Sequence, residues 1–398
     1  MPSTVTIPAE VLDIKDEIFA NRRWFHANPE LSFEEYKTAD KVVELLRSYG
    51  ITEIWEQVGR TGVVALIRGD QPGKCCALRA DMDALPLTET ADVPYRSQNP
   101  GVMHACGHDG HMSSLLAAAK VLMANRSRLK GVVKLVFQPA EEGHGGAPEM
   151  IKDGCLEEGP QGPRVDCIYG IHLWSPIKMS HVACKDGPMM ASSDKFEIDV
   201  RGSGGHGAMP QGTVDAIVEA AHVVTSLQTI VSRNVSPMEN GVVTCGTING
   251  GYGHNIIADQ VTITGTARAF TPEIQELIKS RMECICCGIG ATFGGDIKMN
   301  YMYGYPPTIN SYPECVQIVK EASKKIIGED EGAIEPTMTM GAEDFSYFLN
   351  ERPGCFFFVG AALPGDVRPH HKSVFDFDEN AMLISASIFL EVVYSELA

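Results

Sequence analysis

The chain has 398 residues, 33 basic against 51 acidic side chains, and a net charge of −18. That length exceeds one ordinary core and predicts two domains. The acidic balance excludes a nucleic-acid binder working through its overall field, and no run of about 18 apolar residues is present to cross a membrane.

Residues 1–8, Met-Pro-Ser-Thr-Val-Thr-Ile-Pro, lack the charged start and apolar core of an export signal, so the expected location is cytoplasmic. In that reducing setting most of the twelve cysteines read as free thiols. Cys75 and Cys76 lie in an apolar run, and Cys284, Cys286 and Cys287 in a helical pattern, ordinary places for a small apolar side chain. A metal cluster on the last three lacks a companion His or Cys pair at zinc-site spacing.

Residues 9–25 carry helical periodicity that Pro29 ends, and a second helix is predicted from Ser32 or Phe33 to Tyr49. Strands follow at 62–68 and 75–80, the second running into Asp81-Met82-Asp83. Two aspartates at the end of a buried strand mark an α/β active-site edge, or else a solvated turn. Residues 103–111, Met-His-Ala-Cys-Gly-His-Asp-Gly-His, then precede an amphipathic helix at 112–124. A thiol at a helix N-terminus is expected to ionise easily, and Cys106 and His108 can face one metal. The competing reading is a redox or structural cysteine beside loop histidines. An apolar strand at 132–137 leads to Gln138-Pro139-Ala140-Glu141-Glu142-Gly143. On extended backbone Glu141 and Glu142 point opposite ways, one suited to metal and one to proton transfer. The alternative is a surface acidic pair capping the next helix. A strand at 166–171 runs into His172. Ligand-type residues thus recur at three strand ends, which points to a built site.

From about 191 the pattern changes. A strand at 195–201, a helix at 214–231, strands at 241–248 and 260–269, a helix at 273–290 and a strand at 296–303 give the order βαββαβ. The expected architecture is therefore a two-domain α/β protein. A mixed-sheet catalytic domain (1–190 and 306–398) carries an inserted ferredoxin-like lid or dimerisation domain (191–305), which predicts a hinged cleft. A helix at 313–327, a strand at 354–359 and a closing helix from Glu379 complete the first domain.

Cys106, His108, Glu142, His172 and a histidine from 370–371 are about the number of side chains that hold two divalent ions sharing a ligand. Glu141, beside Glu142, suits the transfer of a proton from water to a leaving nitrogen.

At these residues the chain resembles the metallopeptidase-type amidohydrolases: N-acyl-amino-acid hydrolases, hippurate hydrolases and plant auxin-conjugate hydrolases. The resemblance spans essentially the whole chain. It rests on Arg22-Arg23-x-x-His26-x-x-Pro29-Glu30, Arg79-Ala80-Asp81-Met82-Asp83-Ala84-Leu85-Pro86, His104-Ala105-Cys106-Gly107-His108-Asp109 and Gln138-Pro139-Ala140-Glu141-Glu142-Gly143. It continues through Gly170-Ile171-His172, Gly205-His206-Gly207-Ala208-x-Pro210, Gly341-Ala342-Glu343-Asp344-Phe345 and His371-x-x-x-Phe375-Asp376-Phe377. The resemblance implies Cys106, His108, Glu142, His172 and the terminal histidine as ligands, with Glu141 as general acid/base. Counting back four positions from Phe375 favours His371 over His370. Asp81 is expected not to be a ligand, and Asp83 to orient a ligand histidine. The resemblance further implies His206 as an oxyanion donor, often reaching across subunits, and Asn255 near the substrate. Arg268 suits a carboxylate clamp or a salt bridge, and Glu343 is expected to line the site. His104, His111, His144, His181, His222 and His254 are assigned structural or supporting places.

The implied activity is hydrolysis of an N-acyl or N-aroyl amino acid, with two divalent ions, zinc or manganese ahead of cobalt or nickel. A homodimer or homotetramer is expected, with neither nucleic acid nor membrane as partner. The alternatives are a dipeptidase or carboxypeptidase, a deacetylase of an N-acetylated diamino acid, a non-catalytic binding protein, and a redox sensor built on Cys106.

Overall fold

The computed structural model describes residues 5–328, 334–335 and 337–397. Besides a small pair at Gly187–Met190 and Thr308–Asn310, the strands in chain order are β1 (Glu53–Val58), β2 (Gly62–Arg68), β3 (Gln71–Asp81), β4 (Lys130–Gln138), β5 (Cys167–Trp174), β6 (Val182–Ala183) and β7 (Ser193–Arg201). They continue with β8 (Gly205–His206), β9 (Gly241–Gly250), β10 (Ile256–Ile257), β11 (Gln260–Ala269), β12 (Asp296–Tyr305), β13 (Ile334–Glu335) and β14 (Gly354–Gly360). The main helices are α1 (Lys15–Ala27), α2 (Tyr36–Ser48), α3 (His108–Ala124), α4 (Ala216–Thr229), α5 (Pro272–Phe293), α6 (Pro313–Ile327) and α7 (Asn380–Leu397). Two compact units result: Met1–Met189 with Ile309–Thr337 and Tyr347–Ala398, and Met190–Thr308 with Met338–Ser346.

The larger unit is a mixed α/β fold on an eight-stranded sheet, in the order β1-β2-β4-β3-β5-β14-β6-β13. β3 runs parallel to β4, with Asp81 beside Gln138, and parallel to β5, with Cys76 beside Cys167. β14 runs parallel to β5, with Phe358 beside His172. The carboxyl ends of four neighbouring strands therefore share one edge, where α/β sheets place their chemistry. Cys75–Asp81 is buried throughout, as a central parallel strand requires. α1, α3 and α7 pack together through Phe25, Leu115, Leu122, Ile384 and Ile388. Among the described residues only α7 is long and apolar enough to cross a membrane. Most of it is buried in this core, which accounts for its apolar composition.

α3 starts at His108, earlier than the apolar periodicity at 112 indicates, because Gly107 takes φ 96° and turns the chain directly into the helix. α2 starts later than expected, at Tyr36. Phe33 has φ 62° and Leu31 bridges to Ala84, so this stretch is a loop pinned to the end of β3. The edge strand β1 escaped the sequence reading, since its exposed half carries no apolar alternation.

The smaller unit has the order β7-α4-β9-β11-α5-β12 and an antiparallel sheet β9-β11-β7-β12. Asp194, Phe196, Ile198 and Val200 of β7 alternate inward. The Asp215 side chain caps α4 by accepting from the Ile217 and Val218 N–H groups. Thr271, followed by Pro272, caps α5. Both helices bury Val223, Leu227, Ile278 and Met282 against Ile198 and Ile263. β8 and β10 form a separate two-stranded ribbon with His206 opposite Ile256. All twelve cysteines are free thiols.

Candidate metal centre

In the larger unit the carboxyl edge of the sheet, the start of α3 and the loop before α7 bring six of the expected residues together. Cys106 Sγ lies 3.4 Å from His172 Nε2 and 3.3 Å from His371 Nε2. His371 Nε2 is 3.3 Å from Glu142 Oε1. His108 Nε2 is 4.0 Å from Glu141 Oε2 and 4.0 Å from Glu142 Oε1. The donor atoms of Cys106, His108 and His172 all lie within 4.8 Å of one another, as do those of Cys106, Glu142 and His371. His370 goes elsewhere: its Nε2 accepts from the Ser175 N–H at 3.2 Å, and its ring packs on Trp174 and Phe375.

Backbone carbonyls fix the imidazoles. His108 Nδ1–H donates to the Asp83 carbonyl at 2.9 Å, and His172 Nδ1–H to the Leu173 carbonyl at 2.8 Å. A carbonyl only accepts, so both rings present a bare Nε2 to the cluster. His111 is held differently. Its Nε2 accepts from the Leu173 N–H at 2.8 Å, so its Nδ1–H points to Asp81 Oδ1, 2.6 Å away. Asp81 also pairs with Arg79 at 2.7 Å.

Glu141 and Glu142 do not lie on extended backbone. β4 ends at Gln138, Ala140 takes φ 53° and residues 141–144 form a turn. Both carboxylates therefore approach His108 instead of pointing apart. The Asp83 carboxylate fixes this turn by accepting from the Glu141 and Glu142 N–H groups at 3.0 Å each, and from the Ser32 hydroxyl at 2.7 Å. Glu35 accepts from the Ala140 N–H at 2.9 Å and the Thr61 hydroxyl at 2.5 Å.

Against the expected easy ionisation of Cys106, burial, followed by the Glu142 and Glu141 carboxylates, pushes its thiol well above the usual range. Burial opposes a charge on His108, but Asp81 and Asp83 outweigh it and raise the ring to about 10, so its Nε2 is bare only when a cation displaces the second proton. Burial and the neighbouring His111 and His370 rings hold His172 well below its ordinary value. Burial, then Asp83, raises Glu35 to about 7.

These features fit a bound cation. His108 Nε2 and Glu142 Oε1 are buried without a hydrogen-bond partner, and both face the cluster. A thiol, three imidazoles and carboxylates are a donor set for a divalent ion of intermediate softness. Cys284, Cys286 and Cys287 join no such group among the described residues.

The smaller unit carries the other expected residues. His206 and Asn255 share the β8–β10 ribbon: the Gly207 N–H donates to the Asn255 carbonyl at 2.8 Å, and His206 Nδ1 accepts from the Ala208 N–H at 3.0 Å. Arg268 lies on β11 opposite Val242, with no ion pair among the described residues. Glu343 is buried, and its Oε1 accepts from the Phe345 N–H at 3.0 Å. Neither Glu35 nor the buried pairing of Arg22 and His26 with Asp109 was expected to have a role. Of these, only Arg22, His26 and Asp109 fall in motifs the sequence singles out.

Fold and cluster together define a metal-dependent hydrolase built on a mixed α/β sheet. The chain belongs to the peptidase family M20/M25/M40, whose profile matches residues 77–395. It is 44% identical over 299 residues to the N-acyl-L-amino acid amidohydrolase of Geobacillus stearothermophilus, covering 75% of this chain and 79% of that one. It is 38% identical over 388 residues to the hippurate hydrolase of Campylobacter jejuni, covering 98% of each. Among solved structures it is similar to the YXEP protein of Bacillus subtilis, a dinuclear metal-binding peptidase of the M20 family. There the TM-score is 0.84 at 30% identity, over 96% of this chain and 98% of that one.

Proposed function

We propose that the protein hydrolyses the amide bond of N-acyl or N-aroyl amino acids, releasing a carboxylic acid and the free amino acid. The observation that carries this reading is the convergence of Cys106, His108, Glu142, His172 and His371 beside Glu141. The named activities of the relatives narrow the substrate class. Those five residues hold two divalent ions, zinc or manganese, which supply the positive charge that polarises the amide carbonyl and acidifies water. Glu141 takes a proton from the attacking water and delivers it to the leaving nitrogen as the C–N bond breaks. Asp83 keeps Glu141 and Glu142 in place through their backbone N–H groups. His206 donates to the oxygen that gains charge, Asn255 and Glu343 contact substrate, and Arg268 pairs with its carboxylate.

The segments 1–190 and 306–398 form the catalytic domain, and 191–305 is a ferredoxin-like lid and dimerisation domain. The edge strand β9 supports that role, with Ile248 and the nearby Tyr252 and Ile256 exposed, as does the exposed Ile217–Val218 pair on α4. The protein works in the cytoplasm as a homodimer or homotetramer on small-molecule substrates.

The test is Glu141→Gln on protein reconstituted with zinc or manganese, assayed against N-acetyl, N-benzoyl and indole-acyl amino acids. Metal content stays at the wild-type level while kcat falls about 10²–10⁴-fold. Wild-type turnover in the variant removes Glu141 from the chemistry. Loaded wild-type protein that ignores all acyl amino acids but cleaves peptides moves the reading to a carboxypeptidase.

A further inference from the structure

The turn after β4 is held more firmly than a loop needs to be. Three successive backbone N–H groups, of Ala140, Glu141 and Glu142, are all taken by carboxylates that are themselves buried. Asp83 takes two and Glu35 takes the third. Each carboxylate is anchored from behind by a hydroxyl, Ser32 on Asp83 and Thr61 on Glu35. The Ala140 carbonyl is occupied as well, accepting from the Gly146 N–H at 3.0 Å.

Ala140 is fully buried at φ 53°, a conformation that L-residues other than Asn and Asp seldom adopt. Such a residue keeps that shape only when its surroundings overdetermine it. Here the determinant is Glu35, at the start of α2, 105 positions away in sequence. The left-handed turn at Ala140 makes the two following side chains converge on His108. Burying two carboxylates close enough to repel one another is costly, and hydrophobic packing of α2 does not require it.

We infer that Glu35 is a positioning residue: by holding the Ala140 N–H it keeps the chain in the left-handed turn that aims Glu141 and Glu142. The inference rests on the roles proposed for those two glutamates. It concerns how their geometry is maintained, not what they do.

The experiment compares Glu35→Gln, Glu35→Ala, Thr61→Val and the double variant Glu35→Ala with Ala140→Gly, all in the full chain loaded with manganese. Four quantities are read: thermal midpoint, manganese per chain after dialysis, amide exchange of the peptide covering 139–143, and kcat and KM on hippurate. Glu35→Gln keeps an acceptor oxygen for the Ala140 N–H and retains kcat within about threefold of wild type. In Glu35→Ala the 139–143 amides exchange about tenfold faster or more while β2 and β4 stay protected. Its kcat falls about 10–100-fold with KM within about twofold, and manganese retention drops. Ala140→Gly recovers part of that kcat, because glycine takes a positive φ without penalty. Thr61→Val shifts the same quantities in the same direction by less, which keeps the test decisive should Glu35→Ala fail to fold.

Wild-type exchange at 139–143 in folded Glu35→Ala overturns the inference. So does a loss of kcat that neither Glu35→Gln avoids nor Ala140→Gly relieves. If wild type itself turns over no acyl amino acid, the functional reading fails, while the exchange measurement still decides whether Glu35 holds the turn.

Discussion

Asp109→Asn tests how the start of α3 is held. Asp109 Oδ2 receives Arg22 Nε at 2.7 Å and His26 Nδ1 at 2.8 Å, and all three side chains are buried. Arg22 reaches on to Asp376 at 2.8 Å and lies between the Tyr95 and Phe377 rings, while His26 reaches Glu89 at 3.0 Å. The contact ties α1 to the first turn of α3, one residue past His108. Burial alone raises a carboxyl's pKa; here Arg22 and the His26 hydrogen bond overcome it and hold Asp109 far below the usual range. The amide keeps the volume and one acceptor but removes the charge, leaving the buried guanidinium to Asp376 and, at 3.5 Å, Glu379. Breaking a buried pair costs about 3–5 kcal/mol. For a unit of roughly 270 residues this lowers the unfolding midpoint by about 6–10 °C near neutral pH. The pH dependence has a defined sign. A depressed carboxyl contributes stability above its unfolded pKa of 3.8, and that contribution disappears as pH falls below it. The carboxylate's share of the gap between wild type and variant is therefore full above about pH 5 and narrows toward pH 3, while the share from His26, which Asp109 holds above 6.5, is full below that value and fades as pH rises. Calorimetry or near-ultraviolet circular dichroism reads both. A midpoint within about 1 °C of wild type at pH 7 refutes the argument, and so does a gap as wide at pH 3 as at pH 7.

Replacing Cys106 by Ala removes the donor shared by the His172 and His371 contacts, so bound metal falls from about two ions per chain toward about one; elemental analysis after dialysis reads it, and unchanged content rules the thiol out as a ligand. His206→Ala keeps the thermal midpoint and loses kcat about 10²–10³-fold; mixed with Glu141→Gln protein, it regains activity in heterodimers only if the imidazole acts across a subunit interface. Glu35→Gln reports a buried carboxyl raised from 4.5 to about 7. The folded state binds this proton more tightly, so wild-type stability falls as pH rises through that window, by about 3 kcal/mol in total. The variant lacks the loss, and its midpoint relative to wild type climbs between pH 4.5 and 8; a pH-independent difference places Glu35 in a solvated setting.

Where sequence and structure agree, the information is local or additive. β4, β11, α6 and α7 each carry enough periodic apolar residues to define themselves. The centre was legible as a set because the parallel neighbours β4, β3 and β5 end on one edge, so residues scattered in sequence gather without further assumption. The disagreements come from backbone conformation. Gly107 and Ala140 both take positive φ, which moves the start of α3 and turns Glu141 and Glu142 toward one another. The Gly-His pair hints at the first; an alanine gives no sign of the second.

A deeper reason concerns what holds the donor atoms. His108 and His172 face the cluster with a bare Nε2 because their Nδ1–H groups bind the carbonyls of Asp83 and Leu173. Glu141 and Glu142 are aimed through their N–H groups, and Leu173, whose carbonyl fixes His172, is itself tied by its N–H to His111. In each case one partner is main chain, which every residue possesses, so no pattern of side chains can reveal it. Of the acids behind them, Asp81 and Asp83 stand out at the end of a strand, whereas Glu35 has no motif to mark it. Asp81 is neutralised by Arg79, while Asp83, Glu141 and Glu142 gather around His108, a concentration of negative charge that a bound cation offsets. That charge favours a cation at this edge of the sheet, where His108 Nε2 and Glu142 Oε1 are buried with no hydrogen-bond partner of their own.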